Sequence, residues 1–499
     1  MGPARAMDGE GWVLVGRLFG TDGVRGVANL ELSPLLAYRL GRATGALVMG
    51  WGDGEARLER GHVAGSAPRD ERHPRPFVLV ATDTRVSSGM LEAAVTAGLS
   101  SAGVDVVRLG VLPTPALSWL VPHAGAAAGI MISASHNPVE DNGIKIVGAD
   151  GYKLPDRVEA VLERTVEEMD GQDRLPRPVG LAVGRVRYEP HWQEAYLSYL
   201  IDLVGTTFEG WRVVVDCANG AAHRLAPELL RRLGADVVAI NTGDSGEDIN
   251  VGCGSTHPER AAEVVRQTGA RVGLTFDGDA DRCIAIDEQG QVVDGDQILA
   301  ICALERLRQG TLPGGAVAVT VYSNGGLREA LRKAGGDVVV TPPGDRHVLE
   351  AMLQRGLVLG GEQSGHVIFL EHARTGDGIL TGLMLLATMQ RSGWPLSRLA
   401  AQMPRYPQVL LAARVASKES LLEQPEVRQV IEAAQRALGE SGRILVRPSG
   451  TEPVVRVMVE GPDRQRVEQL AHEVVEVLER VSRTMAQRSE GVVTGQVEA

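Results

Sequence analysis

Phe77-Val-Leu-Val-Ala81, a helical stretch over residues 89–101 and Gly103-Val-Asp-Val-Val107 form the pattern on which this chain is built. Two apolar runs flank an amphipathic segment, and the second run opens on a glycine and an aspartate. The same order returns as Arg212-Val-Val-Val-Asp216, a helix from about 221 to 233 and Gly234-Ala-Asp-Val-Val238. It returns again as Ala316-Val-Ala-Val-Thr320, a helix from about 326 to 334 and Gly335-Gly-Asp-Val-Val339. Apolar strands alternating with amphipathic helices are the pattern of crossover-linked sheets. Any α/β chain can produce Gly-x-Asp-Val-Val by chance, but three occurrences at the same point of the unit argue for three related α/β domains.

Beyond Pro404-Arg-Tyr-Pro407 the order changes to strand, helix (426–438), strand (443–447), strand (454–460) and helix (464–480), a smaller α+β domain. The expected domains are therefore 1–190, 191–300, 301–403 and 404–485, followed by a polar, flexible tail over 486–499. Residues 1–17 read as a loose extension. Residues 50–75, rich in Gly, Arg, Glu and Pro, read as an exposed insertion. Ser33 followed by Pro34 marks the N-terminus of a helix that runs to residue 49.

At 499 residues the chain exceeds a single core, and its apolar fraction of 44% with only 4% aromatics points to aliphatic interiors. A net charge of −12 argues against a nucleic-acid backbone as partner, since that binding needs a basic footprint. Cys217, Cys253, Cys283 and Cys302 show no metal or disulfide spacing and fit reduced thiols in the cytoplasm. No signal-peptide pattern or membrane-spanning stretch is present, so neither membrane nor nucleic acid is expected as a partner.

Four stretches carry chemistry. In Ile130-Met-Ile-Ser-Ala-Ser-His-Asn-Pro138, which runs on through Asp141-Asn-Gly-Ile-Lys145, an apolar strand ends at small hydroxyl residues and a turn-initiating Asn-Pro pair. Ser135 then stands at a strand exit, where a fixed backbone can aim a nucleophile. A turn serine would read the same way in isolation. His136 is the adjacent base candidate, but neighbouring side chains on an extended segment point to opposite sides, so a Ser–His pair is not implied. Upstream, Phe19-Gly-Thr-Asp-Gly-Val-Arg-Gly26 offers Arg25 to an anion.

Asp277-Gly-Asp-Ala-Asp-Arg282 follows the strand Arg271-Val-Gly-Leu-Thr-Phe276 directly. Carboxylates on alternate residues repel unless a cation sits among them, and oxygen-only ligands suit a hard ion such as Mg²⁺. The spacing also matches the start of an EF-hand loop, with Glu288 at its last position. Arg282 occupies the place of the required glycine and the flanks are strand-like, which excludes that reading. A magnesium with one position open to a phosphate oxygen suits phosphoryl transfer.

In Gly360-Gly-Glu-Gln-Ser-Gly-His366, Glu362 and Ser364 lie two apart and offer an acceptor and a donor to sugar hydroxyls or an amine. His366 is either an acid/base group or a turn histidine. In Arg447-Pro-Ser-Gly-Thr-Glu-Pro453, Arg447, Ser449, Gly450 and Thr451, with Arg456 on the next strand, form a phosphate cradle.

Taken together over residues 17–482, these motifs resemble the α-D-phosphohexomutase family, most closely its bacterial phosphoglucosamine mutase branch. The resemblance implies three similar α/β domains and a smaller fourth around one central cleft. It implies interconversion of glucosamine 6-phosphate and glucosamine 1-phosphate through a phosphoserine and a sugar 1,6-bisphosphate, as primer and intermediate, in amino-sugar and cell-wall precursor synthesis. The alternative is a phosphomannomutase or phosphoglucomutase of the same family.

Residue by residue, Ser135 matches the phosphoryl carrier, and Asp277, Asp279 and Asp281 match the Mg²⁺ ligands, with Ser135 counted beside them. Glu362, Ser364 and His366 match the sugar-binding loop, and Arg447, Ser449, Gly450, Thr451 and Arg456 the site of the non-reacting phosphate. Arg25, His136, Lys145 and Arg282 fall at positions lining the active centre. Lys145 and His366 are the proton-transfer candidates and Arg282 a charge stabiliser. Ser133 matches a second serine considered for self-phosphorylation. The resemblance implies a small-molecule sugar phosphate as partner, leaves a homodimer open, and requires a hinge near 404–407 so that the last domain can close.

The chain departs from the family pattern at Thr82, where an arginine often precedes Asp-Thr-Arg, and in the long 50–75 segment. Tyr322-Ser-Asn-Gly-Gly and His347 in Gly344-Asp-Arg-His347 are further departures.

Overall fold

The computed structural model describes residues 4–8, 11–15, 18–20, 22–51, 75–415, 418–439, 442–448 and 454–495. Most of the expected 50–75 insertion, and Ser449, Gly450 and Thr451 of the phosphate cradle, lie outside the described residues. The chain divides into two compact units, Met1–Val321 with Ala334–Gln402, and Tyr322–Lys333 with Met403–Ala499. The segment 322–333, read from sequence as part of the third α/β repeat, thus groups with the C-terminal residues.

Three sheets of the first unit repeat one arrangement. In each, the first strand of the repeat is central, and its parallel neighbours are the second strand on one side and a third on the other. These first strands are Phe77–Thr82, Arg212–Asp216 and Ala316–Thr320. The third strands are Ala128–Ile132, Val272–Phe276 and Leu359–Gly361. Each third strand then pairs antiparallel with a fourth: Asp141–Gly148, Cys283–Ile286 and Val367–Phe369. The three chemically loaded turns of this unit, residues 133–140, 277–282 and 362–366, are therefore the same topological feature used three times. Each leaves the carboxyl end of a third strand, where α/β sheets place their ligands.

Local sequence explains these elements. Every residue of Phe77–Thr82 is buried, so that strand reads as a continuous apolar run and not as an alternation. Ser33 caps the helix Pro34–Met49 by accepting from the Leu36 N–H at 3.2 Å. That helix crosses Ser88–Ser101 so closely that a methyl on Gly98 would come within 2.2 Å of the Tyr38 carbonyl oxygen.

The second unit holds an antiparallel three-stranded sheet ordered Gln408–Arg414, Val454–Glu460, Arg443–Pro448. The helices Pro425–Leu438 and Arg464–Gly495 pack their apolar faces on it. The last helix continues well past residue 480, so most of the stretch expected as a tail has helical backbone; Ala486, Gln487, Arg488 and Glu490 are good helix formers by type. At the other end, Ala4–Asp8 pairs antiparallel with Gly11–Val15, where a loose extension was expected. The run Trp12-Val-Leu-Val15 has the strand propensity that accounts for it. Among the described residues, no helix is long and apolar enough to cross a membrane.

Candidate active site

Ser135 stands three residues beyond the strand Ala128–Ile132, buried, with φ of +52°. A residue with a Cβ adopts that left-handed conformation only under constraint. The turn changes what its side chain can meet. Ser135 Oγ donates to Asp277 Oδ2 at 2.6 Å and lies 3.3 Å from His136 Nδ1. The expectation that residues 135 and 136 point apart assumed extended backbone, and it fails because the backbone is not extended here. Burial, together with the positive charges of Arg282 and Arg25, pushes His136 down to about 4, so the ring is neutral at neutral pH.

The acidic turn sits across from this serine. One oxygen each of Asp277, Asp279 and Asp281 falls within 4.8 Å of the others, and all three residues are buried. Burial and the neighbouring charges of Asp281 and Asp279 raise Asp277 well above the usual carboxylate range. For Asp281 burial acts in the same upward direction, but His366, Lys145 and Arg282 outweigh it and hold the group well below. Asp279 Oδ1 and Asp281 Oδ1 are buried without a hydrogen-bond donor. A cluster of hard oxygen donors with orphaned lone pairs fits a divalent cation such as Mg²⁺.

Lys145, on the strand Asp141–Gly148, reaches the same cluster, with Nζ 2.8 Å from both Asp279 Oδ2 and Asp22 Oδ2. Burial opposes its charge, but these carboxylates raise it far above the ordinary lysine value and hold it as an ammonium. Arg25 donates from its guanidinium to the Ala134 carbonyl at 3.1 Å and to Asn137 Oδ1 at 3.3 Å, and pairs with Asp22. Arg282 Nε lies 3.8 Å from Asp281 Oδ1, and its backbone N–H donates to Asp277 Oδ1 at 3.2 Å.

The third turn brings Glu362, whose Oε1 accepts from the Gly344 N–H at 3.2 Å, and an exposed Ser364. His366 closes the same turn. It is buried, with Nδ1 3.6 Å from Asp281 Oδ2 and Nε2 accepting from the Gly376 N–H at 3.0 Å. Burial disfavours the charged ring, while Asp281, Asp345 and Glu362 favour it and raise the group to about 9. Nε2 also lies 3.7 Å from Asp345 Oδ2, so a carboxylate stands near each ring nitrogen. Both ring nitrogens thus have protein partners.

Several participants had no signal in the sequence. Asp22, Lys153 and Asp345 extend the charge network, Lys153 Nζ lying 2.6 Å from Asp22 Oδ1 and also pairing with Asp345. Thr114 donates to Asp279 Oδ2, and Asn250 Nδ2 donates to the Ser135 carbonyl at 2.9 Å. A cavity of about 690 Å³ opens beside Lys153 and Asp345, lined also by Tyr152, Leu349, Ile368 and Arg374; neither Ser135 nor the acidic turn lines it.

In the C-terminal unit, Arg447 and Arg456 stand directly opposite each other on adjacent strands. The Arg447 guanidinium lies over the Tyr322 ring, 4.9 Å from its centre. Two facing arginines repel, and an anion between them relieves that repulsion.

Comparison with known proteins agrees with this geometry. Sequence models described as phosphoglucomutase/phosphomannomutase alpha/beta/alpha domains I, II and III match residues 58–173, 194–290 and 294–406. The C-terminal domain of that description matches 410–477. The chain belongs to the phosphoglucomutase/phosphomannomutase family. Within it, the chain is 53% identical to a phosphoglucosamine mutase of Moorella thermoacetica, over 91% of its own length and 98% of the relative. It is 49% identical to one from Heliobacterium modesticaldum, over 93% of its length and all of the relative. A crystal structure of a family protein from Burkholderia thailandensis superposes with a TM-score of 0.74 at 25% identity, covering 93% of this chain and 97% of that one. Family membership makes the chain an enzyme of the isomerase class that moves a phosphoryl group, in the phosphoglucosamine mutase branch.

Proposed function

We propose that this enzyme interconverts glucosamine 6-phosphate and glucosamine 1-phosphate, with Ser135 as the phosphoryl carrier. The observation that carries the reading is the 2.6 Å contact between Ser135 Oγ and Asp277 Oδ2 at the edge of the acidic cluster. A phosphoryl group on that oxygen would lie against Asp277, Asp279 and Asp281, which are the residues that would hold Mg²⁺. When bound, the ion neutralises charge on the moving phosphoryl group, whose transfer depends on positioning and electrostatics more than on covalent help.

The side chains divide the remaining work. Phosphorylated Ser135 gives its phosphoryl group to the free 1-hydroxyl of the substrate, forming glucosamine 1,6-bisphosphate. The intermediate turns, its 6-phosphoryl group returns to Ser135, and glucosamine 1-phosphate is released. Lys145 acts as a fixed positive charge beside the transferring group, as does Arg282. His366 orients Asp281 through Nδ1, a role its buried ring suits better than proton exchange with the sugar. Neutral His136, 3.3 Å from Ser135 Oγ, is the better placed group to take up a proton there. Glu362 and Ser364 hold the sugar, and on the C-terminal unit Arg447 and Arg456 hold the phosphate that does not react.

The test is a coupled assay for the 1-phosphates of glucosamine, mannose and glucose, run side by side on wild type and Ser135→Ala. Glucosamine should show the highest kcat/KM by at least about tenfold, and the variant should be inactive with all three. A preference for mannose or glucose would assign the chain to another branch, and an active Ser135→Ala variant would end the mechanism.

A further inference from the structure

Arg85 is buried, and every donor of its guanidinium is used. Nε donates to Asp83 Oδ2 at 3.0 Å. One terminal nitrogen donates to the carbonyl oxygens of Ser135 at 3.0 Å and Asn137 at 2.8 Å. The other donates to those of Asp141, at 2.9 Å, and Pro138. Three of the five bonds end on the backbone of the turn that carries Ser135, and a fourth ends on the first residue of the strand that follows it. No other side chain offers five donors in one rigid plane.

Asp83 continues the network from the other side. Its carboxylate accepts from the Arg85 N–H at 3.0 Å, from Ser88 Oγ at 2.9 Å and from Ser133 Oγ at 2.7 Å. Ser133 Oγ in turn accepts from the Ser135 N–H at 2.9 Å. The backbone of Ser135 is therefore gripped at both ends, its N–H through Ser133 and Asp83, its carbonyl by Arg85. Ser133 is fully buried with its hydroxyl committed as donor and acceptor, a placement that suits a spacer.

From this geometry we infer that Arg85, acting with Asp83 and Ser133, is a positioning residue that holds Ser135 in its left-handed conformation and so aims Oγ at the acidic cluster. The inference rests on Ser135 being the phosphoryl carrier. It assigns a use to the Asp83-Thr-Arg85 motif, none of whose residues makes a contact in the acidic cluster.

The experiment compares wild type, Arg85→Lys, Ser133→Ala and Ser135→Ala, each assayed with Mg²⁺ and a glucose 1,6-bisphosphate primer. Fold is checked by circular dichroism and thermal unfolding, phosphate on Ser135 by intact mass, and turnover by kcat and KM separately. Misplacing a reacting atom by about 1 Å costs on the order of 10²-fold. Arg85→Lys should therefore lower kcat and the rate of Ser135 phosphorylation by roughly that factor, with KM unchanged. Ser133→Ala should lower both in the same direction by at least about fivefold. A purely structural role would lower the unfolding temperature and leave kcat per folded molecule intact. Folded Arg85→Lys and Ser133→Ala variants with wild-type kcat and phosphorylation rate would overturn the inference; if Arg85→Lys does not fold, Ser133→Ala decides alone. An active Ser135→Ala variant would overturn the carrier reading itself, a result distinguishable from the first because it leaves no phosphoserine to position.

Discussion

Ser135 Oγ donates to Asp277 Oδ2 across 2.6 Å although 142 positions of chain separate the two residues. The contact joins turns at equivalent points of two sheets. It places a nucleophilic oxygen against one of three clustered carboxylates, whose repulsion Lys145 and Arg282 relieve in part and a divalent cation would relieve further.

Asp277→Asn separates that repulsion from the cation's contribution. Without divalent ions the variant should unfold at the same temperature as wild type or higher, because one of three clustered charges is gone. Adding Mg²⁺ should raise the wild-type unfolding temperature and raise that of the variant less. Activity should fall by about 10²-fold or more. Thermal unfolding with and without MgCl₂ checks this, and an unchanged Mg²⁺ response would remove Asp277 from the ion's ligand set.

Gly278→Ala probes the close approach of the two turns. A methyl there would lie 2.5 Å from the Ser135 carbonyl oxygen and 2.9 Å from Asn250 Nδ2. Overpacking of this kind costs about 1–3 kcal/mol. We expect a loss of that size in denaturant unfolding, with kcat falling more than KM rises.

Lys145→Met leaves Asp22 and Asp279 facing each other without their shared ammonium. Breaking a buried pair by removing one partner costs about 3 kcal/mol or more. Asp22→Asn in the same chain should recover part of that loss, so the double variant should be more stable than the sum of the single effects predicts. Additive free energies in this cycle would show that the two groups do not interact.

Asp377 supplies a pH test. It caps the helix Gly378–Ser392, accepting from the Leu380 N–H at 2.9 Å, and accepts from the Tyr196 hydroxyl. Burial raises it to about 6. The folded state then binds the proton more tightly than the unfolded chain, so the contribution is full below about 4 and is lost as pH rises through 6. The stability of wild type relative to Asp377→Asn should decline over pH 4 to 6 and level off above 7. A flat difference across that range in thermal unfolding would contradict this.

Much of this architecture is legible in local pattern. Repeated strand, helix and Gly-x-Asp-Val-Val marks three mainly parallel α/β sheets, because a strand buried on both faces must be almost wholly apolar, as Phe77-Val-Leu-Val-Ala81 is. The aspartates of 277–281 announce a cation through charge alone, since alternate carboxylates in one short turn need compensation wherever they fall. Position at a strand's end makes Ser135 a candidate, and it is the resemblance of its motif to a phosphoserine loop that selects it over a turn serine.

What local pattern does not hold is direction and partnership. The left-handed turn at Ser135, and with it the contact to His136 Nδ1, depends on Arg85, fifty residues upstream and invisible as a partner until the sheet brings it beneath the loop. His366 looks like a sugar-loop acid or base by its neighbours in sequence, yet Gly376 and Asp281 occupy its two nitrogens. Asp22, Lys153 and Asp345 join the network only where loops and a helix start distant in sequence come together. The amino-acid order thus settled which groups the protein carries and which sheets present them. Tertiary packing decided which way each group points and what charge it bears, because both depend on neighbours contributed by other segments.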